Sequence, residues 1–126
     1  MKTLEEILKY RNYQKLLNSV DYKNIENNFN PNVYLFQKWA YRIPRGWYGF
    51  SLDGAPFVWA QIIDDFLEEL EKDFPNFEIQ QIKLKFGGLR CYVKLNSNDI
   101  GAAREEKAYK EIDKLENLLF SENLVY

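Results

Sequence analysis

The clearest pattern in the chain runs from Val58 to Phe74, where Trp59, Ile62, Ile63, Phe66, Leu67, Leu70 and Phe74 recur at steps of 3, 1, 3, 1, 3 and 4. That spacing predicts an amphipathic helix with one apolar stripe, with Pro56 in its first turn and Pro75 ending it. Directly after it, Phe77 to Leu95 (FEIQQIKLKFGGLRCYVKL) changes to period-two alternation around Gly87-Gly88 and predicts a β-hairpin. With the two glycines as the loop, Phe86 faces Leu89, Leu84 faces Cys91 and Ile82 faces Val93, which puts six side chains on one core face. The opposite face then pairs Lys85 with Arg90, Lys83 with Tyr92 and Gln81 with Lys94. Phe77 and Ile79 sit at odd positions, whereas Ile82, Leu84 and Phe86 sit at even ones. A β-bulge at Gln80-Gln81 reconciles the two sets; burial of both faces of the strand is the alternative.

The flanking segments read as helices and one structured loop. Thr3-Leu4-Glu5-Glu6 matches a capping box. It opens a helix whose apolar positions Leu4, Ile7 and Leu8 continue through Tyr13, Leu16, Leu17 and Val20, with a break near Arg11-Asn12 where Asn12 can cap a second segment. Asp21 to Asn30 is rich in asparagine and reads as a surface loop. Asn30-Pro31 supplies an N-cap and a first-turn proline for a short helix to about Tyr41, with Val33, Phe36, Trp39 or Ala40, and Ile43 as its buried stripe. Ile43 to Phe57 breaks regular helix with three glycines and two prolines, yet its aromatics predict a loop folded on the core with a short third strand at Trp47 to Leu52. Ser97-Asn98-Asp99 offers caps for a last helix from about Ile100 to Phe120, striped by Ala108, Ile112, Leu115 and Leu119. The tail from Asn123 to Tyr126 is apolar enough to dock or to pair. Together these elements predict one α+β domain over residues 1–126, its helices packed on one face of a small antiparallel sheet built around the hairpin 77–95.

Composition narrows the function classes. Apolar residues make up 46% of the 126 positions and charged residues 29%, with a net charge of −2, which argues against nonspecific coating of nucleic acid and leaves room for a local basic patch. The longest apolar runs are a few residues, far short of the roughly 20 needed to cross a bilayer, so no membrane partner is expected. A single cysteine cannot form an internal disulfide, and no signal-peptide pattern opens the chain; a cytoplasmic protein is expected. There is no histidine. That removes the commonest general base and the Ser-His and Cys-His nucleophile pairs. Cys91 falls on the predicted core face, and Gly87-Gly88 lies in neither phosphate-loop pattern. The reading is against an enzyme: no catalytic residue, no metal site and no cofactor is assigned.

Two surfaces remain as binding candidates. The outer hairpin face collects Lys83, Lys85, Arg90 and Lys94 around Tyr92, a set suited to phosphates and a stacked ring, with Trp47 and Tyr48 as a further stacking platform. It points to an anionic small molecule or nucleic acid as partner. Like charges directly opposite each other are unfavourable by up to about 1 kcal/mol, so an anion is expected near Lys85 and Arg90, from this chain or from a ligand. The alternative is the helix 58–74, whose six carboxylates against Lys72 give a local charge near −5. There Asp64, Asp65, Glu68 and Glu69 suit a basic protein partner, as in an inhibitor or immunity-like protein. Asp64 with Glu68 and Asp65 with Glu69 also stand one turn apart, close enough to share a divalent cation, although exposed acidic helix faces are far more common.

The run Gln81 to Val93, QIKLKFGGLRCYV, resembles the Q-[IV]-K-x-K-F-G-[GT]-L-R-F-Y signature of small uncharacterised bacterial and bacteriophage proteins. Similar proteins carry a Gly-Trp and an amphipathic helix upstream, echoed by Gly46-Trp47 and the helix from Trp59 to Phe74, so the resemblance spans about residues 46 to 95. Cys91 stands where an aromatic is usual, and the C-terminal cysteine pair of some similar proteins is missing. The resemblance implies no activity; it implies a bacterial or mobile-element setting.

Overall fold

A computed structural model of the chain describes residues 1–10, 28–97 and 102–120. The continuation of the first helix past Tyr10, most of the asparagine-rich loop, the caps at Asn98 and Asp99 and the tail from Asn123 lie outside the described residues. In chain order the elements are α1 (Leu4–Tyr10), α2 (Pro31–Trp39) with a 3-10 turn at Ala40–Arg42, β1 (Gly49–Ser51), α3 (Phe57–Asp73), β2 (Glu78–Lys85), β3 (Gly88–Lys94) and α4 (Ala102–Leu118). Four described α-helices and one three-stranded sheet make an α+β fold.

The helix ends follow local chemistry. At α1 the capping box is reciprocal: the Glu6 N–H donates to Thr3 Oγ1 and the Thr3 N–H to Glu6 Oε1, both at 3.2 Å. At α2 the Asn30 side chain accepts from the N–H groups of Asn32 and Val33 at 3.0 and 3.2 Å, ahead of Pro31. The predicted stripe of α3 is buried throughout, as are Ala108, Ile112 and Leu115 of α4 and Leu119 just beyond its end. The stripe of α2 differs from the expectation. Pro31, Leu35 and Trp39 are buried, while Val33 and Phe36 are exposed. Trp39 decides this orientation: its ring packs near Phe77 and its Nε1–H donates to Asp64 Oδ1 at 2.9 Å, so the i, i+4, i+8 row through Trp39 faces the core.

The third strand forms within the predicted segment, but it pairs parallel to β2, with Phe50 beside Ile82. The sheet, in order β1-β2-β3, is therefore mixed and not antiparallel throughout. Chain direction explains this, since β1 leads through α3 and back to its neighbour, a crossover that only a parallel pair needs. The bulge is present at Gln80-Gln81, where two residues stand against Tyr92, and it brings Phe77, Ile79 and Ile82 together in the core.

The hairpin register differs from the one predicted. Leu84 faces Leu89, Ile82 faces Cys91, Lys83 faces Arg90, and Lys85 faces Gly88, so the loop is Phe86-Gly87. Both loop residues have positive φ, 54° and 78°, as a type I′ turn requires. Gly88 is needed elsewhere: a Cβ on it would stand 2.6 Å from the Phe120 ring, and there the end of α4 reaches the edge of β3 through a Leu89 N–H to Leu119 carbonyl bond of 3.0 Å. The offset is an even number of residues, so each side chain keeps its predicted face. Phe86 alone changes environment, from expected core to 88% exposed.

All four described α-helices contribute to one buried cluster against Phe50, Ile79, Ile82, Leu89, Cys91 and Val93 of the sheet. The other sheet face carries Gln81, Lys83, Lys85, Arg90, Tyr92 and Lys94. No described helix is long and apolar enough to cross a membrane.

Candidate nucleic-acid interface

The outer sheet face is built in cross-strand rows. Gly49, Gln81 and Tyr92 form one row, and Ser51, Lys83 and Arg90 the next; the row after that holds Lys85 and Gly88. The small residues of β1 leave the long side chains of β2 and β3 without tall neighbours on that side. Lys83 Nζ lies 5.9 Å from the Tyr92 ring centre, and Lys85 Nζ lies 5.7 Å from that of Phe86. Each ring thus has a cation within cation–π reach. Arg90 Nη1 donates to the Leu89 carbonyl at 3.1 Å.

The predicted opposition of Lys85 and Arg90 does not occur, because the register shift sets Lys85 against glycine. Lys83 and Arg90 oppose each other instead. Among the described residues no carboxylate lies within ion-pair reach of Lys83, Lys85, Arg90 or Lys94. Lys94 faces Glu78, whose carboxylate accepts from Asn96 Nδ2 at 2.8 Å. Lys83, Lys85 and Arg90 are therefore the cations of this face that have no acid opposite them. Tyr48, 75% exposed, lines a shallow apolar groove of about 210 Å³ with Asn32, Val33, Phe36 and Phe50 at the α2 side of the molecule. Trp47 is half exposed.

Phe86 is the residue that the sequence reading missed. Turn chemistry gave no signal for it, since Gly87-Gly88 is the better type I′ pair; Phe86 enters the loop because Gly88 is held against the Phe120 ring.

The acidic residues of α3 are placed differently from the cations. Asp64 accepts from Trp39 and pairs with Lys38 Nζ at 2.9 Å, and Lys38 also pairs with Glu68. Glu69 is buried; it accepts the Lys2 N–H at 3.0 Å and pairs with Lys72 at 2.5 Å. Although burial pushes its pKa up, those two partners hold it below the usual carboxylate value. Glu71 accepts from the Tyr41 hydroxyl and from Arg42 Nη2 at 2.7 Å, and both hold its pKa down. Asp73 pairs with the Met1 amino group, and Asp65 is buried. Asp64 and Glu68 thus converge on a lysine, and among the described residues no group of three or more Cys, Asp or Glu side chains is placed to hold a metal ion. Cys91 is buried on the core face, and burial pushes its thiol up to about 12, far from a nucleophile's range.

No protein-family model matches the chain, and neither a curated protein nor a solved structure matches it.

Proposed function

We propose that the protein is a noncatalytic binding module that holds an anionic ligand, a nucleotide or a nucleic acid, on the outer face of its sheet. The observation that carries this reading is the pairing of Lys83 with Arg90. Two cations stand directly opposite each other beside Lys85, and no carboxylate of the described residues forms an ion pair with them. Such an arrangement costs up to about 1 kcal/mol unless an anion offsets it. The chain has acids enough to supply one, yet those of α3 are used to hold α1, α2 and the 3-10 turn. The acidic-helix alternative, a basic protein partner for Asp64, Asp65, Glu68 and Glu69, draws no such support: two of the four are buried and the other two share Lys38. The resemblance of the hairpin to small bacterial and phage proteins extends the proposal to a bacterial or mobile-element setting in the cytoplasm.

Calorimetric titration with ATP and with inorganic polyphosphate tests this reading. Binding is expected to weaken steeply with salt, as counterion release requires, and to weaken further in Lys83→Ala and Arg90→Ala. Parent-like binding by both variants, or no binding by the parent protein, refutes it.

A further inference from the structure

Phe86 presents a conflict that the hairpin does not need. An exposed phenylalanine with φ +54° occupies a turn position where asparagine or glycine is favoured, and its ring is buried by nothing. A second ring, Tyr92, lies half exposed on the same strand pair. The row of Tyr92 and the row of Lys85, which precedes Phe86, are four residues apart along β2, roughly 14 Å. Between the two rings lie Lys83 and Arg90, and each ring has its own lysine at less than 6 Å. Rings at the two ends of a short row of cations form a repeating aromatic and cationic track.

We propose that this track binds single-stranded nucleic acid, with bases stacked on Phe86 and Tyr92 and the intervening phosphates on Lys83, Lys85 and Arg90. The inference rests on the anionic-ligand reading above and goes further in naming the ligand's class and a contact residue at the turn. Base stacking on aromatic side chains is tolerant of sequence because every base has a flat face, and phosphates supply the charge. Duplex nucleic acid fits poorly, since its bases are already stacked and paired. An anionic membrane surface also fits poorly, because a tip inserted through Phe86 leaves Tyr92 standing roughly 14 Å back along the sheet.

Fluorescence anisotropy with labelled oligouridylate, an abasic oligonucleotide of equal length, and phosphatidylserine vesicles separates the outcomes. Oligouridylate is expected to bind more tightly than the abasic strand. Phe86→Ala and Tyr92→Ala should each lower oligouridylate affinity about fivefold or more while leaving the abasic strand unaffected, and Phe86→Trp should retain binding. Lys83→Ala should weaken both strands and reduce the salt slope by roughly 0.7, one phosphate's share. Equal, salt-sensitive binding of both strands with no effect of Phe86→Ala overturns the stacking inference and leaves the anionic-ligand reading intact. Absence of salt-sensitive binding to either strand overturns this inference, and the ATP and polyphosphate titrations then decide separately whether the anionic-ligand reading stands. Capture by vesicles that depends on Phe86, without oligonucleotide binding, replaces the inference with a membrane contact. Circular dichroism of each variant confirms that the exposed substitutions leave the fold in place.

Discussion

At φ +54°, Phe86 holds a backbone conformation that costs most L-residues about 1–2 kcal/mol, and its ring gains no burial in return. Asparagine adopts the same conformation at lower cost and with glycine forms the favoured type I′ pair. Phe86→Asn is therefore expected to stabilise the hairpin by about 0.5–1 kcal/mol, read as a rise of about 2–5 °C in the thermal midpoint. The same variant should lose oligonucleotide affinity as Phe86→Ala does. A gain in stability with a loss of binding marks the ring as a contact residue; a fall in the midpoint marks it as part of the fold. Two residues on, Gly88 is constrained by close approach. Adding a Cβ there drives it to 2.6 Å from the Phe120 ring, so Gly88→Ala should destabilise by about 1–3 kcal/mol in urea unfolding. Truncating Phe120 to alanine in that background should recover part of the loss, because the clash then has no partner.

Among the elements, α3 was the most legible: one face must be buried, a 17-residue helix shows its periodicity several times over, and all seven positions of its apolar stripe are in the core, with only Pro56 displaced from the first turn to the N-cap. The 9-residue α2 gave only two turns of pattern, and two apolar rows compete for the core. The Trp39–Asp64 hydrogen bond settles which row wins, and no periodicity encodes that contact. The faces of the hairpin were legible for a similar reason, since alternation survives any even offset, whereas the register depends on where Phe120 docks, more than 30 residues downstream. The basic face was thus readable as a set of residues but not as a set of pairs. Contacts between distant elements have the same character at α1. Its first N–H, on Leu4, donates to the buried Glu111 of α4 at 3.0 Å, a long-range cap that no local motif announces. Glu111→Ala leaves that donor unsatisfied and should cost about 1–3 kcal/mol, measured by denaturant unfolding.

The charges divide by face: carboxylates of α3 are tied to cations on the helical side, while Lys83, Lys85 and Arg90 of the sheet form no ion pair among the described residues. This division makes stability respond to acid through α3. Hydrogen bonds from Tyr41 and Arg42 hold Glu71 below the usual value of 4.5, and Glu69 is held below it too, where Lys72 and the Lys2 N–H outweigh the effect of burial. A carboxyl whose folded-state pKa lies below its unfolded value binds fewer protons when folded, so its contribution is complete above about pH 4.5 and is lost as pH falls through the lowered value. With no histidine in the chain, no side chain of ordinary pKa titrates between about pH 5.5 and 7. Unfolding free energy should therefore be flat across that range and drop below about pH 4.5. Glu71→Gln should be less stable than the parent at pH 7, because Arg42 then faces a neutral amide, and its decline with acid should be shallower. The two curves should converge at low pH, where the parent's Glu71 is itself neutral. Parallel curves for Glu71→Gln, Glu69→Gln and the parent protein would place the acid sensitivity outside α3 and remove the assignment of these carboxylates to structure.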